Sequence, residues 1–149
     1  MASKGILYLI ISGTKDYRRA AEALRLAEYQ AGDARNIALM LQGEGVEWLE
    51  EGEEDFRKEI QISLGVINEL GSPIFLCGAS LNERGLTPTM GEYKFTTSSA
   101  PKRINQVIDK GWQIAVFYFK NTKLKFGVKC FTPIFYSFVC HFTLIIFVQ

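Results

Sequence analysis

The strongest constraint on this chain is a rhythm. Short apolar runs recur, and between them lie longer stretches whose apolar residues return at helical spacing. Ile6–Ile11 is continuously apolar, as strands buried on both faces of a parallel sheet are. Tyr17, Ala20, Ala21, Leu24, Ala27 and Ala31 then share one helical stripe, with Thr14 or Asp16 in place to cap its start and Gly32 to stop it. Ile37–Leu41 reads as a second strand. QGEG follows as a turn, and VEWLEEGEED is an acidic stretch suited to a helix N-terminus, where solvated carboxylates complement the dipole. Phe56, Ile60, Leu64 and Ile67 form the next stripe, ended by Gly71. Pro73 leads into a third strand, Ile74–Cys77. Ser99, Ala100 and Pro101 read as a cap and first turn, after which Ile104, Val107 and Ile108 face inward until Gly111. Ile114–Phe119 is a fourth strand. Strands alternating with helices imply right-handed βαβ crossovers. The expected fold is α/β, three layers α/β/α around a mainly parallel sheet of four to five strands.

A chain of 149 residues holds one domain with a sizeable core. Its formal charge of +1 is uneven. Four of its 17 basic residues (Lys120, Lys123, Lys125 and Lys129) lie beyond Phe119, and all 16 acidic ones precede it, which leaves 13 against 16, about −3, for residues 1–119. A mildly acidic body without a basic stripe argues against a nucleic-acid surface, which displaces counterions with clustered Lys and Arg. Three widely spaced cysteines make no disulfide framework, and no small-residue cleavage site follows KGILYLIISG. Both point to the cytoplasm.

Cys77 is the single thiol of residues 1–119. In IFLCGASLNERGL it stands where an apolar strand runs out into a polar segment, and carboxyl ends of strands are where open α/β sheets place their chemistry. Gly78 allows close backbone approach there, and a cation such as Arg84 favours the thiolate, a nucleophile toward sulfur and carbon. Beside this stands a plainer reading, in which Cys77 is a small packing residue and Arg84 a loop arginine tied to a carboxylate or carbonyl. The only histidine, His141, is in the tail, which removes Ser–His–Asp and Cys–His arrangements from residues 1–119 and most zinc sites with them. GEG at 43–45 lacks the Lys-Ser/Thr of a phosphate loop, and no GxGxxG follows the first strand. No metal or organic cofactor is expected. Trp48, Trp112, Tyr93 and Phe95 read as core or as lining a subunit contact, and Tyr8 and Tyr118 as core.

In order along the chain, GILYLIISG, EALRLAEYQAGD, IALMLQGEGVEWL, IFLCGASLNERGL and INQVIDKGWQIAVFYF resemble the landmarks of the DsrE/DsrF-like family, small sulfur-relay domains of the TusD and YchN types. The resemblance covers residues 5–119. It implies a parallel-sheet domain that assembles into trimers or hexamers, and a cysteine matching Cys77 that carries sulfane sulfur as a persulfide from a donor protein to an acceptor protein. Some relatives have a second cysteine three positions later, where this chain has Ser80. A disulfide between positions 77 and 80 is therefore excluded, and a persulfide on Cys77 has to be discharged by a partner's thiol. The alternative is a non-catalytic oligomeric module of the same fold with Cys77 as packing.

Beyond the domain expected at 1–119, residues 120–149 change character. They lack acidic residues, and with Phe117 and Phe119 they hold eight of the 11 phenylalanines. Cys130–Val148 is uncharged for 19 residues, long enough for a membrane span, with the preceding lysines keeping the domain cytoplasmic. Three readings stand open: a membrane anchor through 130–148, an extension packed on the domain or between subunits, and non-native sequence.

Overall fold

The computed structural model of the protein describes residues 4–50, 53–88 and 93–117 and the backbone of residues 145–147. Tyr118, the boundary expected at 119/120 and the rest of the tail lie outside the described residues.

The fold is the expected α/β architecture. In chain order come β1 (Gly5–Ile10), α1 (Tyr17–Gly32), β2 (Asn36–Leu41), a 3-10 helix (Gly43–Leu49), α2 (Asp55–Glu69), β3 (Ile74–Cys77), α3 (Gly78–Arg84), β4 (Phe95–Ser98), α4 (Ala100–Asp109), β5 (Gln113–Phe117) and β6 (Ile145–Phe147). The sheet order is β4-β3-β2-β1-β5-β6, and each neighbouring pair is parallel. The chain walks outward from β1 to β4, then crosses back to place β5 on the other side of β1. Strand order therefore reverses between β1 and β5.

Pleating splits the strand residues between two layers. Tyr8, Ile10, Leu39, Leu41, Ile74 and Leu76 join the larger cluster with the alanines and Leu24 of α1 and with Ile60, Leu64 and Ile67 of α2. Leu7, Leu9, Ala38, Met40, Cys77 and Ile114 join Ala100 and Val107 of α4 on the opposite face. The stripes of α1 and α2 thus face the first layer and that of α4 the second, except that Ile108, expected to face inward, is exposed.

Several elements differ from expectation. β4 is a further strand, formed by FTTS at the edge of the sheet. It has one apolar residue in four, so it lacks the run that marks buried strands. GASLNER, expected as a loop, is the short helix α3, closed by Gly85 in the left-handed conformation at φ 63°. QGEG is more than a turn: it opens the 3-10 helix 43–49. Neither expected cap of α1 binds a backbone N–H through its side chain. The Asp16 carboxylate pairs with Arg19 at 2.9 Å, while Thr14 bonds Glu47. After Gly32 ends α1, Ala34 takes the left-handed step at φ 55°.

The aromatic residues are mostly structural. Trp48 is fully buried, with its indole N–H donating to Ser12 O at 2.8 Å. Tyr8 stacks on Phe117 with ring centroids 5.9 Å apart. Phe95 packs partly buried against the larger cluster, and Trp112 against the smaller one. Tyr93 lies over Gly65, whose lack of a Cβ makes room for its ring.

Candidate functional site

Cys77 is the last residue of β3 and the N-cap of α3, with extended backbone (φ −71°, ψ 110°). Strand alternation turns its side chain toward the α4 layer, where it is 5% exposed. Gly78 opens α3 beside β4; a Cβ there would touch Thr97 Cγ2 at 3.2 Å, so glycine lets the helix start close to the neighbouring strand. In register, Cys77 is opposite Ser98, and the chain then turns through Ser99 into α4. The starts of α3 and α4 therefore meet at the sulfur.

Their backbone donors act on it. Burial pushes the Cys77 thiol up, but hydrogen bonds from the Ser80 hydroxyl and from the N–H groups of Ser80, Ala100 and Ala79 outweigh that and hold it below the ordinary thiol value. Free N–H groups in a helix's first turn have no intrahelical acceptor, and such donors beside a sulfur favour its thiolate form. The Ser80 oxygen in turn accepts from Gly43 N–H at 2.9 Å.

Arg84, one turn after Ser80 on α3, directs its guanidinium elsewhere. Its Nε–H donates to Gly43 O at 3.0 Å and its Nη1–H to Glu47 Oε1 at 3.1 Å. The other carboxylate oxygen of Glu47 accepts from Thr14 N–H at 3.2 Å and from the Thr14 hydroxyl at 3.1 Å. Of the expected site residues, the structure brings Cys77 and Gly78 together and sets Arg84 in contact with a carboxylate and a carbonyl. Gly43, Glu47 and Thr14 joined them unannounced, since the acidic stretch from Glu47 to Asp55 reads as a solvated helix start. Only Glu54 and Asp55 stand at the start of α2.

Three further residues escaped sequence reasoning. Arg57 is 7% exposed and holds the 47–50 segment through Glu47 O at 2.6 Å, Glu50 O at 3.4 Å and the Glu54 carboxylate at 3.1 Å. Gln61, one turn on, donates to Trp48 O and Glu50 O, both at 3.0 Å. Arg103 of α4 lies 4.1 Å from the Phe75 ring centre and donates to Ser98 Oγ at 3.0 Å. No signal short of the tertiary contacts separates these from ordinary surface arginines. Among the described residues, no group of three or more His, Cys, Asp or Glu is placed to hold a metal ion, and no helix is long and apolar enough to cross a membrane.

Fold and site together define an open, parallel α/β domain with a shielded thiol at the carboxyl end of a strand. The sequence pattern of the DsrE/DsrF-like family matches residues 4–117, and the chain belongs to that family. Among solved structures it is similar to the ychN protein from E. coli, with a TM-score of 0.63 and 16% identity over 76% of this chain and 99% of that one. It is also similar to a conserved protein of unknown function from Bacteroides thetaiotaomicron, with a TM-score of 0.59 and 14% identity over 75% of this chain and 94% of that one. At these identities the likeness is one of fold. No curated protein shows significant sequence similarity to the chain.

Proposed function

We propose that the protein is a sulfur carrier in which Cys77 accepts sulfane sulfur as a persulfide and passes it to a partner protein. The observation that carries this reading is the placement of one buried thiol at the carboxyl end of β3, opposite Ser98 and beside the starts of α3 and α4. In the first step the Cys77 thiolate attacks the outer sulfur of a donor protein's persulfide. A new S–S bond forms at Cys77, the donor's S–S bond breaks, and the donor cysteine leaves as its thiolate. In the second step an acceptor thiolate attacks the outer sulfur on Cys77, and the Cys77 thiolate leaves with the electron pair of the broken bond. Neither step needs an added oxidant or a cofactor. The donors that lower the Cys77 value serve both steps, since they raise the thiolate fraction of the nucleophile and stabilise the leaving group. With Ser80 where a second cysteine would stand, discharge falls to the partner. In this reading the chain works in the cytoplasm as a homo-oligomer, a trimer or hexamer.

A second reading is favoured by one observation, the 5% exposure of Cys77 within the α4-side cluster. Under it the protein is an oligomeric binding module and the thiol a packing residue. One experiment separates the two. The full chain and its Cys77→Ser variant are incubated with a sulfane-sulfur donor and weighed intact. A gain of one sulfur, about 32 Da, that depends on Cys77 and is released by an acceptor thiol supports the carrier. No Cys77-dependent gain, with Cys77 refractory to alkylation in the folded chain, overturns it in favour of the module.

A further inference from the structure

The layer that buries Cys77 has one helix over it. Among the described residues, α4 is the only helix with members in the buried cluster that holds the thiol, to which it contributes Ala100 and Val107. Ile104, between them, is partly buried against the same cluster. The buried apolar residues of α1 and α2, and Leu81 of α3, belong to the opposite layer. Of the three longer helices α4 is anchored most thinly. It buries two of its ten residues, against six of sixteen in α1 and five of fifteen in α2. Elements with few buried contacts are the ones that open at least cost.

One side chain ties the first half of α4 to the sheet. Arg103 Nε–H donates to Ser98 Oγ at 3.0 Å, and its guanidinium carbon lies 4.1 Å from the centre of the Phe75 ring. Phe75 and Cys77 are two apart on β3 and so share a face, while Ser98 is in register with Cys77 on β4. Arg103 therefore spans the two residues that flank the thiol, one along its own strand and one across. Its Nη1–H donates to Gln106 Oε1 at 2.9 Å within α4, and among the described residues no carboxylate pairs with it. A tie to a hydroxyl and a ring, without an ion pair, is released at modest cost. The helix is flanked by Ser99, with extended backbone, and by Gly111 at φ +69°, end positions of the kind that absorb a hinge.

We propose that α4 is a gate over Cys77 and that Arg103 is its clasp. A protein thiol cannot reach a sulfur enclosed between a sheet and a helix, so transfer requires α4 to lift while the sheet and the opposite layer stay folded. The use of the gate in sulfur transfer rests on the carrier reading above; the opening itself does not.

The test is the rate of iodoacetamide alkylation at Cys77 in the folded full chain, read on its own peptide by mass spectrometry at a series of low urea concentrations. Lifting α4 exposes little surface, so the rate is expected to be nearly independent of urea below the unfolding transition, whereas access through global unfolding follows the full urea slope. Arg103→Met keeps the side-chain stem and loses both ties. It is expected to raise the rate roughly tenfold, the worth of one hydrogen bond and one cation–π contact together. Loss of a cation from this layer disfavours the thiolate, so a field effect alone would slow the reaction instead. Ser98→Ala removes the hydroxyl alone; it is expected to raise the rate by a smaller factor, and it serves in place of Arg103→Met should that variant not fold. Arg57→Met weakens the fold from the opposite layer and is expected to leave the rate unchanged. A rate that neither tie variant raises, that follows the full urea slope, or that climbs in Arg57→Met overturns the proposal. Sulfur loading is measured separately. If Cys77 fails to load while its alkylation behaves as expected, the carrier reading falls and the gate stands; loading with an unmoved alkylation rate does the reverse.

Discussion

Cys77, the last residue of β3, and Ala100, the first residue of α4, are buried together in the layer between the sheet and α4. Two segments 23 positions apart in sequence thus meet there. The contact requires β4 to run parallel beside β3, so that Ser98 comes opposite Cys77 and the next two residues curl over the sulfur.

Proline at position 100 removes the Ala100 N–H, one of the donors that lower the Cys77 value. Ala100 is the first residue of α4, a place where proline is well tolerated, and Ser99 already has the extended backbone (φ −75°, ψ 129°) that proline requires of its predecessor. Ala100→Pro is expected to raise the alkylation midpoint of Cys77 by about half a pH unit, with helix content by circular dichroism unchanged. An unaltered midpoint would show that this N–H does not support the thiolate.

The lowered Cys77 value also links stability to pH. The unfolded chain binds the thiol proton more tightly than the folded one, so this group's contribution is complete above the ordinary value of 9.0 and is lost as pH falls through the folded value. In urea denaturation under reducing conditions, wild type is expected to gain on Cys77→Ser as pH rises toward 9.0. A difference that is flat with pH, or that shrinks, would contradict the assigned direction.

The 3-10 helix sits hard against β1, and two of its glycines respond differently to a methyl group. A Cβ at Gly45 would collide with the backbone oxygen of Ile10, which has no room to retreat within a central strand. At Gly43 the neighbour is the Ile11 side chain at 3.2 Å, which can rotate away, leaving mainly the left-handed backbone cost of about 1–2 kcal/mol. Gly45→Ala is expected to lower the unfolding free energy more than Gly43→Ala, in a comparison by chemical denaturation.

Arg57 holds the segment that carries Glu47. Arg57→Met keeps the buried stem but removes the guanidinium's bonds to the carbonyls of Glu47 and Glu50, which retain Glu50 N–H and Gln61 Nε2 as donors, a loss of about 1–3 kcal/mol in unfolding free energy. A change near zero would mean that water replaces the guanidinium without cost.

Tyr8 offers a spectroscopic check of the layer behind the sheet. Burial pushes its hydroxyl up to about 12, and Gln30 accepts its proton at 2.9 Å. Stability from this group is present below the ordinary value of 10.0 and is lost as pH rises toward the folded one. An alkaline absorbance titration is expected to show one tyrosine ionising near 12 that is missing in Tyr8→Phe.

The sequence by itself determined the layers. Continuous apolar runs have to be covered on both faces, and stripes at helical spacing have to lie on them, so the parallel sheet and the faces of α1 and α2 follow from periodicity. It also showed the position of Cys77 at a strand's end, because the apolar run stops there. What it did not reveal is a matter of short or polar elements: β4 offers no apolar run, and α3 is too brief for its stripe to repeat. The Arg84-Gly85 pair was legible as a motif but not in its use, which is to close a helix in left-handed backbone and to reach Gly43 and Glu47. Those partners come from another part of the chain, 41 and 37 positions away, and hydrogen bonds over such distances leave no periodic trace. Only the tertiary structure could decide that the thiol faces α4, that two helix starts converge on it and that Ser80 accepts from Gly43. Each depends on strand order and on the parallel register of β3 with β4, and neither is encoded in local propensity.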